Sequence, residues 1–246
     1  MDNRDDFLSQ LDALMALPRE QVKSPNMPVK IYLQEALNLL YYAEKDRAIL
    51  QKSGLDLSLV ETLPVRINAL RYAQTEWNSE RYELDAAEQE WKQELPRARQ
   101  FKRELLHNFR FAYRKNEERM KVVNYIAQGR SHADMVQDFC ELAVVGRAHP
   151  EPLLAIGMDL ELLSRAADLS VRLGALLAAV KGARGTLKEA KLHRDRAYTY
   201  LKQAVDEVRE YGRFVFRGQE SKQLHYGSKY FRNLRAELRK KALKEH

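Results

Sequence analysis

Few side chains in this chain have types and spacings that could do chemistry. The nearest approach to a metal motif is Glu104-Leu105-Leu106-His107, because Glu-x-x-His on one helical turn is how carboxylate-bridged di-iron bundles present two ligands. Such a centre needs a second Glu-x-x-His and two further buried glutamates. The later helices offer only Glu189 and His193, four apart, so the expectation is a solvated pair, with no metal and no cofactor. His132, His149, His225 and His246 fall in loops, caps or the terminus, without a cysteine or carboxylate at nucleophile or ligand spacing. Cys140, between Phe139 and Leu142, reads as a small buried hydrophobe rather than a reactive thiol. The chain has no Gly-x-Ser-x-Gly, no Gly-x-Gly-x-x-Gly and no His-Glu-x-x-His. Gly182-Ala183-Arg184-Gly185-Thr186 lacks the lysine and spacing of a phosphate loop. A non-enzymatic role is expected, with a bundle-core metal enzyme a distant third reading.

The C-terminal stretch is the candidate for recognition chemistry. The chain carries a net charge of +7, and residues 213–246 hold ten Lys and Arg against three Asp and Glu, which leaves the remainder balanced. One end can therefore meet an acidic partner while the rest attracts neither sign. A last helix is expected with Tyr230, Phe231, Leu234, Leu238 and Ala242 on one face. Arg232, Arg235, Arg239, Lys240 and Lys241 form its candidate anionic-partner surface, with Lys244 beyond. These cations can neutralise phosphates, and Tyr226, Tyr230 and Phe231 can stack on bases if exposed. The blander expectation is favoured: the aromatic face docks the helix on its bundle and the basic end complements the helix dipole.

The elements that position these residues are helical. Few glycines and prolines, abundant Ala, Leu, Glu, Lys and Arg and almost no alternating β-branched runs imply an all-α protein. Leu63, Leu70, Trp77, Leu84 and Trp91 recur every seven residues and define a seam that needs a partner helix. Pro96 suits the first turn of a new helix, so the chain is expected to break near Leu95 and return through Leu106, Phe109, Tyr113, Met120, Val123 and Ala127, with a lapse at Asn116. That makes a hairpin over 57–127. A second, over 159–216, has Leu162, Ala166, Leu169, Leu173, Leu176 and Val180 going out and a turn at Gly182 and Gly185. A capping box of Thr186 with Glu189 follows, and Ala190, Ala197, Leu201, Ala204 and Val208 come back.

Shorter helices are expected over residues 5–17, ended by Pro18, and over 29–52, after the stiff Ser24-Pro25-Asn26-Met27-Pro28 connector. Another follows Ser131-His132-Ala133-Asp134, a serine cap with an acidic residue three later. Gly54-Leu55-Asp56-Leu57 reappears as Gly157-Met158-Asp159-Leu160, and the same offset of 103 pairs Gln34 with Gln137, Leu39 with Leu142 and Leu50 with Leu153. An internal duplication is expected, the alternative being capping chemistry that any helical protein shares. The expected organisation is an N-terminal short helix and connector over 1–28, then a single all-α elongated bundle of two long antiparallel hairpins, with repeats at about 29–131 and 132–246.

The single cysteine excludes an internal disulfide, and no run approaches the eighteen or so apolar residues of a membrane span. The start is acidic where a secretory signal would be basic. A cytoplasmic protein without membrane contact is expected. Its partner would be another protein or a second copy of itself, held by helical faces, with nucleic-acid binding through the basic C-terminal helix as the alternative.

Overall fold

The computed structural model describes residues 2–243, so Lys244 and His246 lie outside the described residues. The chain is all-α, and the described residues contain no strand. In order the helices are α1 (Asn3–Ser9), α2 (Leu11–Ala16), α3 (Val29–Lys45), α4 (Arg47–Lys52), α5 (Ser58–Glu61), α6 (Leu63–Ala112), α7 (Glu117–Ile126), α8 (His132–Ala148), α9 (Glu151–Leu154), α10 (Glu161–Val215), α11 (Glu220–Gln223) and α12 (Lys229–Ala242). None of them is long and apolar enough to cross a membrane.

Neither expected hairpin forms. Helix α6 runs unbroken through Pro96, and α10 runs unbroken through Gly182 and Gly185. Pro96 is exposed, so the carbonyl that loses its partner one turn back can turn to water, while buried Trp91 and Ala98 hold the helix on either side. Added Cβ atoms at Gly182 and Gly185 would meet nothing within 4 Å; these glycines lie on the solvent side, where flanking contacts override a cost of about 1 kcal/mol each. Thr186 caps no helix, its hydroxyl donating to the Ala183 carbonyl one turn back. The actual end of the first long helix is at Ala112, and Asn116 is the N-cap of α7, its side chain accepting from the Arg119 N–H.

Two shorter stretches also break. Residues 5–17 divide at Gln10, leaving Phe7 and Leu14 buried but Leu8 and Met15 exposed, and 29–52 divides at Asp46. Cys140 is exposed rather than buried. The buried stripe of α8 is Met135, Phe139, Leu142, Ala143 and Gly146, and Cys140 falls off it by its helical phase.

The chain forms two compact units. The first takes residues 1–79 and 188–246, the second 80–187. In the first, the leading part of α6 packs antiparallel to the trailing part of α10. Arg66 donates to the Tyr200 carbonyl at 2.9 Å, and the Arg194 guanidinium lies 4.2 Å from the Trp77 ring centroid. Leu39, Leu50, Val60, Leu63 and Leu70 close on Leu201, Val205 and Val208 to make its core. In the second unit the trailing part of α6 meets the leading part of α10 in the same antiparallel sense, with Glu94 joined to Arg172 at 2.8 Å and Arg165 over the Phe101 ring. Its core contains Leu105, Phe109, Phe139, Leu142, Leu153 and Leu173.

The offset of 103 seen in the sequence maps helix onto helix. It carries α3 onto α8 end to end, and carries the end of α6 at Ala112 onto the end of α10 at Val215. Gly54 and Gly157 both have positive φ, 99° and 74°. After each, an N–H reaches back to close the preceding turn, Leu55 to Leu50 at 3.1 Å and Met158 to Leu153 at 3.0 Å. This is a Schellman ending in both places. Asp56 and Asp159 then each accept at 2.9 Å from the backbone two residues on. Each compact unit thus joins helices from the first half of the chain to helices from the second.

Candidate recognition surface at the last helix

Helix α12 is held at its base and free along its length. The base rests on Glu35, which α3 presents inside the first unit. One carboxylate oxygen accepts from the Arg209 guanidinium at 2.9 Å, the other from the Ser228 hydroxyl at 3.2 Å and the Tyr230 backbone N–H at 2.8 Å. A buried carboxylate meeting both a guanidinium and the free N–H groups of a helix start is paired twice over, which is what makes its burial tolerable. Ser228 completes the start as N-cap, accepting from the Phe231 N–H.

The segment before it is equally anchored. Tyr226 is fully buried, its ring lying against Gly212 of α10, where an added Cβ would come within 2.0 Å of the ring. Its hydroxyl donates to Asp46 at 2.8 Å, and burial together with that carboxylate holds the phenol well above its ordinary range. His225 stacks flat on Tyr42 with centroids 3.7 Å apart. Tyr226 is therefore a core residue and cannot stack on a base.

Beyond the first turn the docking stops. Tyr230 and Phe231 pack partly against the first unit's core, edge to face with each other. Leu234 is 38% exposed and Leu238 58%. The expectation that the whole apolar face would lie on the bundle holds only for these two aromatics, since the leucines that follow stay open to solvent. The five basic residues are all exposed, and none forms an ion pair among the described residues. Arg235 folds back to donate to the Phe231 carbonyl at 3.2 Å.

By helical register, Arg235 flanks the stripe of Leu234 and Leu238, Arg232, Arg239 and Lys240 lie farther round towards the opposite side, and Lys241, seven residues after Leu234, falls on the stripe itself. The surface is accordingly an apolar stripe backed by a cationic face, with Arg235 and Lys241 bringing charge to the stripe.

The other sequence candidates do not converge. Glu104 and His107 are exposed, and Gln100 donates to Glu104 at 3.0 Å. His193 is placed against the Phe7 ring, and His132 against Trp91. No group of three His, Cys, Asp or Glu side chains among the described residues could hold a metal ion. Sequence reasoning missed Glu35, because a lone acid in an apolar helix looks like any solvated position. The available signal was the offset of 103, which pairs it with Asp138, also buried and also joined to a cation, Lys102. Compared with protein-family models, with curated proteins and with solved structures, the chain matches none.

Proposed function

We propose that this is a non-enzymatic interaction protein, and that α12 is the element with which it grips an acidic protein partner. The observation behind the reading is that Leu234 and Leu238 remain uncovered along a helix whose remaining surface carries Arg232, Arg235, Arg239 and Lys240 without ion-pair partners among the described residues. An amphipathic helix of this kind gains by laying its apolar stripe in a groove, with acidic groups on the rim answering its cations. Phosphates alone would use the cations and leave the leucines in water, which is why a protein groove is preferred to nucleic acid. The fixed base at Glu35 and Tyr226 supports the reading as well, because a rigidly presented helix loses less entropy on docking.

Nucleic-acid binding through the same helix is the second reading, and two variants separate them. Arg235→Glu with Arg239→Glu removes the charge; Leu234→Ser with Leu238→Ser removes the stripe. All four positions are exposed, so the fold should change in stability by no more than about half a kcal/mol. A protein cross-linked to the parent in its host and lost from both variants is the expected result. Loss from the charge variant alone, accompanied by salt-sensitive binding of the parent to nonspecific DNA or RNA that the charge variant weakens and the leucine variant keeps, would replace it with the nucleic-acid reading. Retention by both variants would remove α12 from recognition altogether.

A further inference from the structure

The two long helices end in the same five-residue pattern, 103 residues apart. Arg110-Phe111-Ala112-Tyr113-Arg114 closes α6, and Arg213-Phe214-Val215-Phe216-Arg217 closes α10. The fourth residue is accounted for by folding. Tyr113 and Phe216 are both buried and their N–H groups donate to Phe109 and Gly212 at 2.9 and 3.1 Å. Their carbonyls accept from Asn116 and Gln219 at 2.8 and 2.9 Å. The second residue is not accounted for. Phe111 is 52% exposed and Phe214 70%, so neither core nor turn requires an aromatic there.

A single exposed apolar side chain is ordinary. The arginines at both ends complement the negative end of the helix dipole, but an exposed phenylalanine at the same point of both patterns is required by neither core, turn nor dipole. Neighbouring positions with a folding role have meanwhile drifted, Ala112 to Val215 and Tyr113 to Phe216. None of Arg110, Arg114, Arg213 and Arg217 forms an ion pair among the described residues. In the first pattern the Arg114 guanidinium lies 3.9 Å from the Phe111 ring centroid and donates to the Phe111 carbonyl.

We infer that each helix end is a stacking platform for an unpaired base of single-stranded nucleic acid, with the phenylalanine ring meeting the base and the flanking arginines its phosphates. Base on aromatic stacking is tolerant of sequence because every base has a π face, and planar guanidinium groups serve both stacking and phosphate binding. An acidic peptide would answer the arginines equally well but has no use for a flat ring in place of an aliphatic anchor. The inference concerns a surface other than α12 and does not depend on it.

The test is fluorescence anisotropy of a labelled oligouridine about twenty nucleotides long, a length that spans at least one single-strand binding site. The full chain carries Arg235→Glu and Arg239→Glu so that α12 cannot contribute. Phe111→Ala and Phe214→Ala should each weaken binding by about tenfold. Phe→Tyr at both positions should retain it, whereas Phe→Leu, which keeps an apolar side chain but not the flat ring, should behave like alanine. Replacing Arg110 and Arg114 by Gln should reduce the salt slope by about 0.7 for each phosphate no longer neutralised. No binding by the parent at low salt would overturn the inference. Leucine variants that bind like the parent would overturn it too, and would point to a protein with an apolar anchor as the occupant.

Discussion

Glu35 of α3 and Asp138 of α8 stand 103 residues apart at matching positions of their helices, and they do different work. Both are buried, and both meet a cation from the trailing half of a long helix, Arg209 of α10 or Lys102 of α6. Glu35 is one methylene longer and faces a forked guanidinium, which leaves its second oxygen free for Ser228 and the Tyr230 N–H. Asp138 meets the Lys102 ammonium and fastens no projecting helix; burial pushes its carboxyl up while Lys102 pulls the other way. A buried acid paired with a lysine thus stays internal to the second unit, and in the first unit a buried acid fastens a projecting helix. The difference between the two units lies at the surface that the proposed function uses.

Removing the cations should show this with the largest effects. Arg209→Met strands a buried glutamate that has no other ion-pair partner among the described residues, which typically costs about 3 to 5 kcal/mol in urea unfolding. It should also release α12, seen as faster tryptic cutting after Arg232 and Arg235. Lys102→Met should cost less, because Asp138 already has a raised pKa and can take up a proton. Its sign with pH follows: a carboxyl raised in the folded state favours the folded form while protonated, so that variant should be more stable at about pH 5 than at about pH 8. Equal losses for the two variants, without release of α12, would show that the two acids are interchangeable.

The glycines opposite these helices extend the contrast. At Gly212 a Cβ would strike the Tyr226 ring, which Asp46 holds by its hydroxyl. At Gly146 it would come within 2.7 to 2.9 Å of Leu163 methyls and the edge of Phe109. A pinned ring cannot yield and a leucine can rotate, so Gly212→Ala should lose about 3 kcal/mol and Gly146→Ala about 1. Thermal unfolding of the two proteins measures both. A harmless Gly212→Ala would mean that Tyr226 does not pin the approach to α12.

Breakers inside the long helices behave oppositely, and they explain what the sequence could and could not disclose. Pro96→Ala restores the missing N–H and removes the ring clash with the preceding turn, a gain of up to about 3 kcal/mol. Gly182→Ala and Gly185→Ala should each gain about 1, where a turn at those sites would lose stability. The buried seam itself was legible. Leu63, Leu70, Trp77, Leu84 and Trp91 continue in phase at Ala98, Leu105 and Ala112, and Val180 leads through Ala183 and Leu187 to Ala190 without a slip. Only an unbroken helix keeps that spacing, since a turn would reset it. Proline and glycine look like stops because their local cost is visible in a sequence, whereas the partner helix that outweighs it is not. The basic residues of α12 were legible for the same local reason. The exposure of Leu234 and Leu238 was not, because an apolar stripe looks alike whether or not something covers it.

The smallest contrast is between the starts of α3 and α8, which the offset of 103 places together. Pro28 begins α3 without a side-chain cap, whereas Ser131 begins α8 with a reciprocal box: its hydroxyl accepts from the Asp134 N–H at 3.0 Å, and Asp134 accepts from the Ser131 and Arg130 N–H groups at 2.8 and 3.0 Å. Ser131→Ala should therefore cost about 1 kcal/mol. The Ser131 hydrogen bonds hold the Asp134 carboxyl below its ordinary range, and a depressed carboxyl gives its stabilisation above the unfolded value near pH 4 and loses it as the pH falls through the folded value. Acid should accordingly loosen the first turn of α8 and leave that of α3, which has no such group, unaffected. Amide protection factors followed downward in pH should fall at Met135 before they fall at Tyr32, and Asp134→Asn should remove the difference. Simultaneous loss at both positions would mean that the two starts respond only to global unfolding, and that the cap makes no local contribution.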